Sequence, residues 1–217
     1  MKVYLEIGKK TFVSAVDWPG WSRGGKTEEE ALTSLLAYGK RYAGAVGVPF
    51  GQLGASVQRD LEVVERLEGN ATTDFGAPGV VPEMDRAPIS DARLDEIIEL
   101  LRAAWRTFER VAAKAGGETL GPAGPRGGGR TLDGIARHVA EADAAYLSAV
   151  GGRVTAGSPW SATQAAFVDA LHARARGELP EVGPRGGKRW PAPFAIRRAA
   201  WHALDHAWEI EDRTAMG

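Results

Sequence analysis

Ala200-Trp201-His202-Ala203-Leu204-Asp205-His206-Ala207-Trp208-Glu209 is the stretch on which the reading of this chain turns. Trp201, Leu204 and Trp208 recur at helical spacing and make one apolar face. His202 and His206 are four residues apart, one turn of helix, and project together at the flank of that face. Two imidazoles so placed can reach one metal ion, as in other helical His-x-x-x-His patterns. Glu209 returns to the histidine stripe, and Arg198, four residues before His202, lies close to it. A carboxylate in the place of Glu209 can orient a ligating imidazole. On spacing alone, ordinary surface or capping histidines are the plainer reading. The helix is predicted over residues 195–213.

Upstream, a second helix is predicted over residues 131–150, with Ile135, Val139, Ala142 and Tyr146 facing inward and His138 at their flank. A longer one follows Ser90, with Leu94, Ile97, Ile98, Leu101, Trp105 and Phe108 as one stripe, and Gly116-Gly117 stops it. A weaker one over residues 161–176 carries Phe167 and Leu171. His172 fits neither stripe nor pair and reads as a solvated residue. Four amphipathic helices of this kind suggest a four-helix bundle. Three histidines on the edges of two of them could converge in one groove.

The same five residues occur twice: Gly124-Pro125-Arg126-Gly127-Gly128 and Gly183-Pro184-Arg185-Gly186-Gly187. Arg130 or Arg189 follows each two positions on, and a histidine-bearing helix follows that. They read either as chance or as two related loops at one end of the bundle. Arg126, Arg130, Arg185, Arg189 and Arg198 are candidate substrate-binding residues, because guanidinium groups and helix N-termini favour carboxylates and phosphates. Solvated loops are the plainer alternative. Trp160, Trp190 and Trp201 are either pocket walls or core.

The first 70 residues have a different period. Val3, Leu5 and Ile7 lie on one face of a strand, Gly8-Lys9-Lys10 turns the chain, and residues 11–16 make the second arm of a hairpin. Asp17-Trp18-Pro19-Gly20 is a turn. Thr27 reads as an N-cap with Glu30 as its capping-box partner, opening a helix through Leu35 toward Tyr42. Another strand is predicted over residues 57–67. The order is β-β-α-β over residues 1–70. Residues 71–89, dense in turn formers, read as a linker, and residues 90–217 as the helical part.

The chain has 217 residues, 27 Lys and Arg against 28 Asp and Glu, a net charge of -1 and no cysteine. Disulfides, thiolate metal sites and a cysteine nucleophile are thereby excluded. No overall basic field recommends nucleic acid or an anionic membrane as partner. No apolar run approaches the ~18 residues of a membrane span. The first residues alternate and carry charge, unlike a signal peptide, so a cytoplasmic location is expected.

Two resemblances add to this. Ile135 to Leu147, with His138, resembles the second helix of DinB-like proteins, and Ala200 to Glu209 resembles their fourth. The resemblance covers residues 90–213. It implies an all-α four-helix bundle in which His138, His202 and His206 bind a divalent metal, zinc or nickel. It further implies a thiol S-transferase or a hydrolase acting on a small molecule. A low-molecular-weight thiol would then be the cosubstrate, and a homodimer is compatible with such bundles. The segment from Tyr4 to Ala37, with Asp17-Trp18-Pro19-Gly20-Trp21-Ser22 and Thr27-Glu28-Glu29-Glu30-Ala31-Leu32, resembles the HicB-like antitoxin module. Its family implies an α+β fold. No DNA-binding tail is read after it, and residues 1–85 are not basic, so no DNA is expected as partner. The alternative to an enzyme is a non-catalytic binding or regulatory protein with a HicB-like module and a degenerate bundle.

Overall fold

The computed structural model describes residues 1–55, 58–116, 120–122 and 129–214. The N-terminal part is a four-stranded sheet and the C-terminal part is helical, so the chain is α+β. Strands β1 (Lys2–Ile7) and β2 (Thr11–Ala15) form the expected hairpin, with Tyr4 opposite Ser14 and Glu6 opposite Phe12. β3 (Ser22–Gly25) pairs antiparallel with β2, and β4 (Glu62–Glu68) pairs parallel with β1, giving the order β3-β2-β1-β4. The sequence reading lacked β3. Ser22-Arg23-Gly24-Gly25 has no apolar alternation, and its two glycines argue against a strand. Its place is set by its neighbours: a Cβ on Gly24 would stand 2.9 Å from the Phe12 ring. The last strand begins at Glu62 and not near residue 57, and Val57 lies outside the described residues.

The predicted first helix is two. α1 (Glu28–Ala37) ends at Tyr38, and α2 (Gly39–Val46) follows at once. Thr27 caps α1 by accepting from the Glu30 amide at 3.2 Å, while Glu30 reaches back to the amide of Lys26 at 2.7 Å. The Trp-Pro-Gly turn is locked from both sides. Gly20 has φ 91° and backs onto Ala200, where a Cβ would come within 3.0 Å. Trp21 stacks on Tyr42 at 5.4 Å, and the Tyr42 hydroxyl donates to the Pro19 carbonyl at 2.8 Å.

Both faces of the hairpin are covered. Val3, Leu5, Val13 and Ala15 join Leu35 and Tyr42 in the main core. On the opposite face Phe12 meets Trp201 edge to face at 6.2 Å. Glu6, fully buried there, accepts from Thr73 Oγ1 and from the amides of Gly79 and Val80. Ile7, expected on the inward face, is 41% exposed at the strand end. Residues 71–89, read as a linker, hold the five-residue helix α3 (Ala71–Phe75), capped by Asn70, and a 3-10 turn at Glu83–Arg86.

The helical part contains α4 (Asp91–Lys114), α5 (Leu132–Val150), α6 (Trp160–Ala175) and α7 (Ala192–Thr214). Ser90 caps α4 and Thr131 caps α5, each accepting from the amide three residues on. Gly117, half of the expected stop after α4, lies outside the described residues. The stripes read from the sequence are buried as expected, Leu94 to Phe108, Ile135 with Val139 and Tyr146, and Phe167 with Leu171, except that Ala142 is half-buried. α7 packs against α4, α5 and α6. Its alanines at 195, 199, 200, 203 and 207 are all fully buried, which lets the neighbouring helices approach closely. No helix among the described residues is long and apolar enough to cross a membrane.

Candidate metal centre

α5 and α7 run antiparallel, and their facing edges bring the three histidines together. The start of α5 meets the end of α7, where Arg213 Nη1 donates to the Arg130 carbonyl at 2.8 Å. The end of α5 meets the start of α7, where the Trp190 amide donates to the Ala149 carbonyl at 2.9 Å. Between these ends, His138 from α5 meets His202 and His206 from α7. The rings stand 4.6 Å (His202 and His206), 4.9 Å (His138 and His202) and 5.0 Å (His138 and His206) apart, centroid to centroid. One nitrogen from each lies within 4.8 Å of those of the other two, close enough to hold a metal ion.

The donor set fits a cation in three respects. His138 Nε2 and His202 Nε2 are 3.2 Å apart. Two nitrogens on one tetrahedral zinc, each about 2.0–2.1 Å from it, stand about 3.3 Å apart. Burial, with the charges of His206 and nearby arginines, holds His202 well below its ordinary value and His138 below its own. Both shifts favour the neutral imidazole of His138 and His202, the form that ligates. Finally, Glu209 Oε2 accepts from His206 Nδ1 at 2.7 Å, which leaves Nε2 as the ligating nitrogen of that ring. Burial works against the Glu209 charge, but hydrogen bonds from His206 and Arg213 hold its carboxyl below the ordinary value. Arg213 Nη1 lies 3.1 Å from Glu209 Oε1, and its Nε donates to the Gly121 carbonyl at 3.0 Å. The sequence reading left Arg213 without a role, although its position four residues after Glu209 on one helix face was a usable signal.

The arginine candidates separate. Arg130 stands at the histidine end, and its charge helps depress His138 and His202. Arg126, with the whole of residues 124–128, lies outside the described residues. Arg185 is exposed in a turn closed by the Val182–Lys188 bridge. Arg189 donates to the Ser148 carbonyl. Ser148 is ten residues along α5 from His138, about 15 Å at 1.5 Å per residue. Of the two repeats, read either as chance or as related loops at one end, the first lies outside the described residues, while Arg130 and Arg189 beside them fall at opposite ends. Antiparallel packing of α5 and α7 puts the residues that lead into them at opposite ends. Arg198 is the arginine of the set that stacks beside the centre, 4.8 Å from the Trp201 ring and 5.6 Å from that of Tyr146. His172 stands 3.5 Å from Asp95, away from the triad. The tryptophans divide likewise. Trp160 donates to buried Asp143 at 2.8 Å and packs on Phe108, while Trp190 and Trp201 flank the histidine side with Tyr146.

Comparison with protein-family models, with curated proteins and with solved structures finds no match to the chain.

Proposed function

We propose that the chain is a divalent-metal-dependent enzyme of the DinB-like kind, with α4, α5, α6 and α7 as its four-helix bundle and zinc or nickel held by His138, His202 and His206. One observation carries the reading: three imidazoles from two helices offer nitrogens within 4.8 Å of one another. Imidazole suits both metals. With three protein ligands the ion keeps an open position, and it would serve as a Lewis acid toward a water or a thiol.

The chain's own residues supply the rest. Glu209 holds the His206 ring with Nε2 directed to the centre, and Arg213 holds Glu209. The buried surroundings of His202 keep water from competing for its lone pair. With no cysteine in the chain, thiol chemistry needs a low-molecular-weight thiol as cosubstrate. Thiol S-transfer and hydrolysis of a small molecule are the two reaction classes. The N-terminal module steadies α7 through the Arg23–Asp205 pair at 3.0 Å.

Elemental analysis by mass spectrometry tests this, with wild type beside His202→Ala/His206→Ala and His172→Ala. About one zinc or nickel per chain is expected in wild type and in His172→Ala, and none in the double variant. Wild type that stays metal-free after reconstitution with zinc and nickel overturns the reading. So does equal loss in His172→Ala.

A further inference from the structure

Next to the triad, the strip of α7 that carries His202 has two donors with nothing to donate to. Arg198 Nη1 and Trp201 Nε1 are both buried and lack a hydrogen-bond partner. Trp201 is only 6% exposed. A buried donor left unpaired is costly, and more so when charged, so two side by side call for an acceptor. They are neighbours, with the guanidinium stacked 4.8 Å from the indole centroid. They also adjoin the centre. Arg198 lies 5.6 Å from the Tyr146 ring, and that ring meets His202 edge to face at 5.9 Å. Trp190 and Phe194 close the far side of Tyr146, with ring separations of 5.5 Å and 4.9 Å along the series.

We propose that Arg198 and Trp201 together bind a carboxylate beside the histidine triad, so that the substrate is a small carboxylic acid. The inference rests on the metal-centre reading and specifies its substrate class. The charge decides between acceptors. An amide carbonyl could satisfy the indole, but a buried guanidinium needs a counter-charge, and a carboxylate matches its planar fork. Glu6 is a nearby acid whose charge, with that of Asp205, acts on Arg198 through space, but it makes no hydrogen bond to Nη1. Its Oε2 is taken by Thr73, Gly79 and Val80, and its Oε1 is buried without a partner, outside ion-pair distance of Arg198. Burial also raises its carboxyl above the ordinary value, which weakens it as a counter-charge. The rival account is a single water bridging Glu6 and Arg198, with no ligand.

Propionate and its uncharged isostere propionamide separate the two. Each is titrated into the zinc-loaded protein and, in parallel, into metal-free protein, following the indole N–H resonances by NMR. Trp201→Phe identifies the Trp201 signal. The expected result is that propionate shifts that resonance and propionamide does not. Arg198→Gln should weaken propionate about tenfold or more, with Arg198→Lys intermediate, and metal content should not change in either. Trp201→Phe keeps the ring and removes only the donor, so a several-fold loss is expected there with the fold intact. Propionate affinity that Arg198→Gln leaves unchanged overturns the subsite, and so does the absence of any shift in both preparations. If the protein takes up no metal but binds propionate through Arg198, the subsite stands and the metal-centre reading falls.

Discussion

Glu209 earns its place in the centre by one bond. It holds the His206 ring at 2.7 Å and is itself held by Arg213. Glu209→Ala should leave three imidazoles in place but free one to rotate. Metal affinity should fall about tenfold to a hundredfold, read by competition with a chromogenic chelator. A second residue sets a pH dependence away from the metal. Asp143 is fully buried on α5, and burial pushes its carboxyl from 3.8 up to about 7, against the pull of its Trp160 bond. Between those values the folded chain keeps a proton that the unfolded chain has released. That contribution therefore favours folding at the acid end and is lost as pH rises through about 7. Asp143→Asn cannot ionise and can still accept from Trp160. Its advantage over wild type should grow from pH 5 to pH 8, by about 2–3 kcal/mol, in urea melts. An equal gap at both pH values would contradict this. The Glu209 role was legible in its return to the histidine stripe, whereas Asp143 is one of 28 acidic residues and nothing local marks its burial.

At the scale of elements, most starts and stops were legible because their signals are local. Thr27, Ser90 and Thr131 cap the helices that follow them. Thr131→Ala should cost about 1 kcal/mol in stability and leave metal content unchanged, since His138 lies two turns inside α5. What was not legible is what neighbours impose. α1 and α2 part at Gly39, where a Cβ would stand 2.8 Å from the Phe50 ring. β3 exists because glycines let it lie close to what surrounds it. A Cβ on Gly25 would fall 2.5 Å from the Ala31 amide nitrogen. Gly25→Ala should therefore destabilise by about 1–3 kcal/mol in thermal or denaturant melts, with wild-type stability as the refuting result.

The whole molecule is tied together by a core and by ion pairs that cross from one half to the other. The main cluster of buried apolar residues includes Val3 and Leu35 of the first part and Leu94, Ile135, Phe167 and Leu204 of the second. Arg197 on α7 clasps Asp85 at 2.9 Å, with side chains 12% and 3% exposed, and donates to the Ala15 carbonyl of β2 at 3.0 Å. Asp85→Ala leaves that guanidinium buried without its counter-charge and should cost about 3–5 kcal/mol. The same connectivity predicts one cooperative calorimetric transition for the chain, and two resolved transitions would contradict it.

The periods of the chain by themselves determined the four long helices, the hairpin and the histidine pair on one helix face, because each depends on residues within a few positions of one another. His138 was read at the flank of a second helix and the DinB-like likeness grouped it with the pair, but neither carries a distance. Only tertiary packing decided that α5 and α7 run antiparallel. That one fact brings His138 to His202 and His206 and sends Arg189 to the far end. Only packing, too, covered the second face of the sheet, burying Glu6 and lodging Trp201 against Phe12 beside Arg198. The physical reason is the same throughout. A period shows which side of an element is apolar, whereas the partner of that side is chosen by shape and charge brought together from far along the chain.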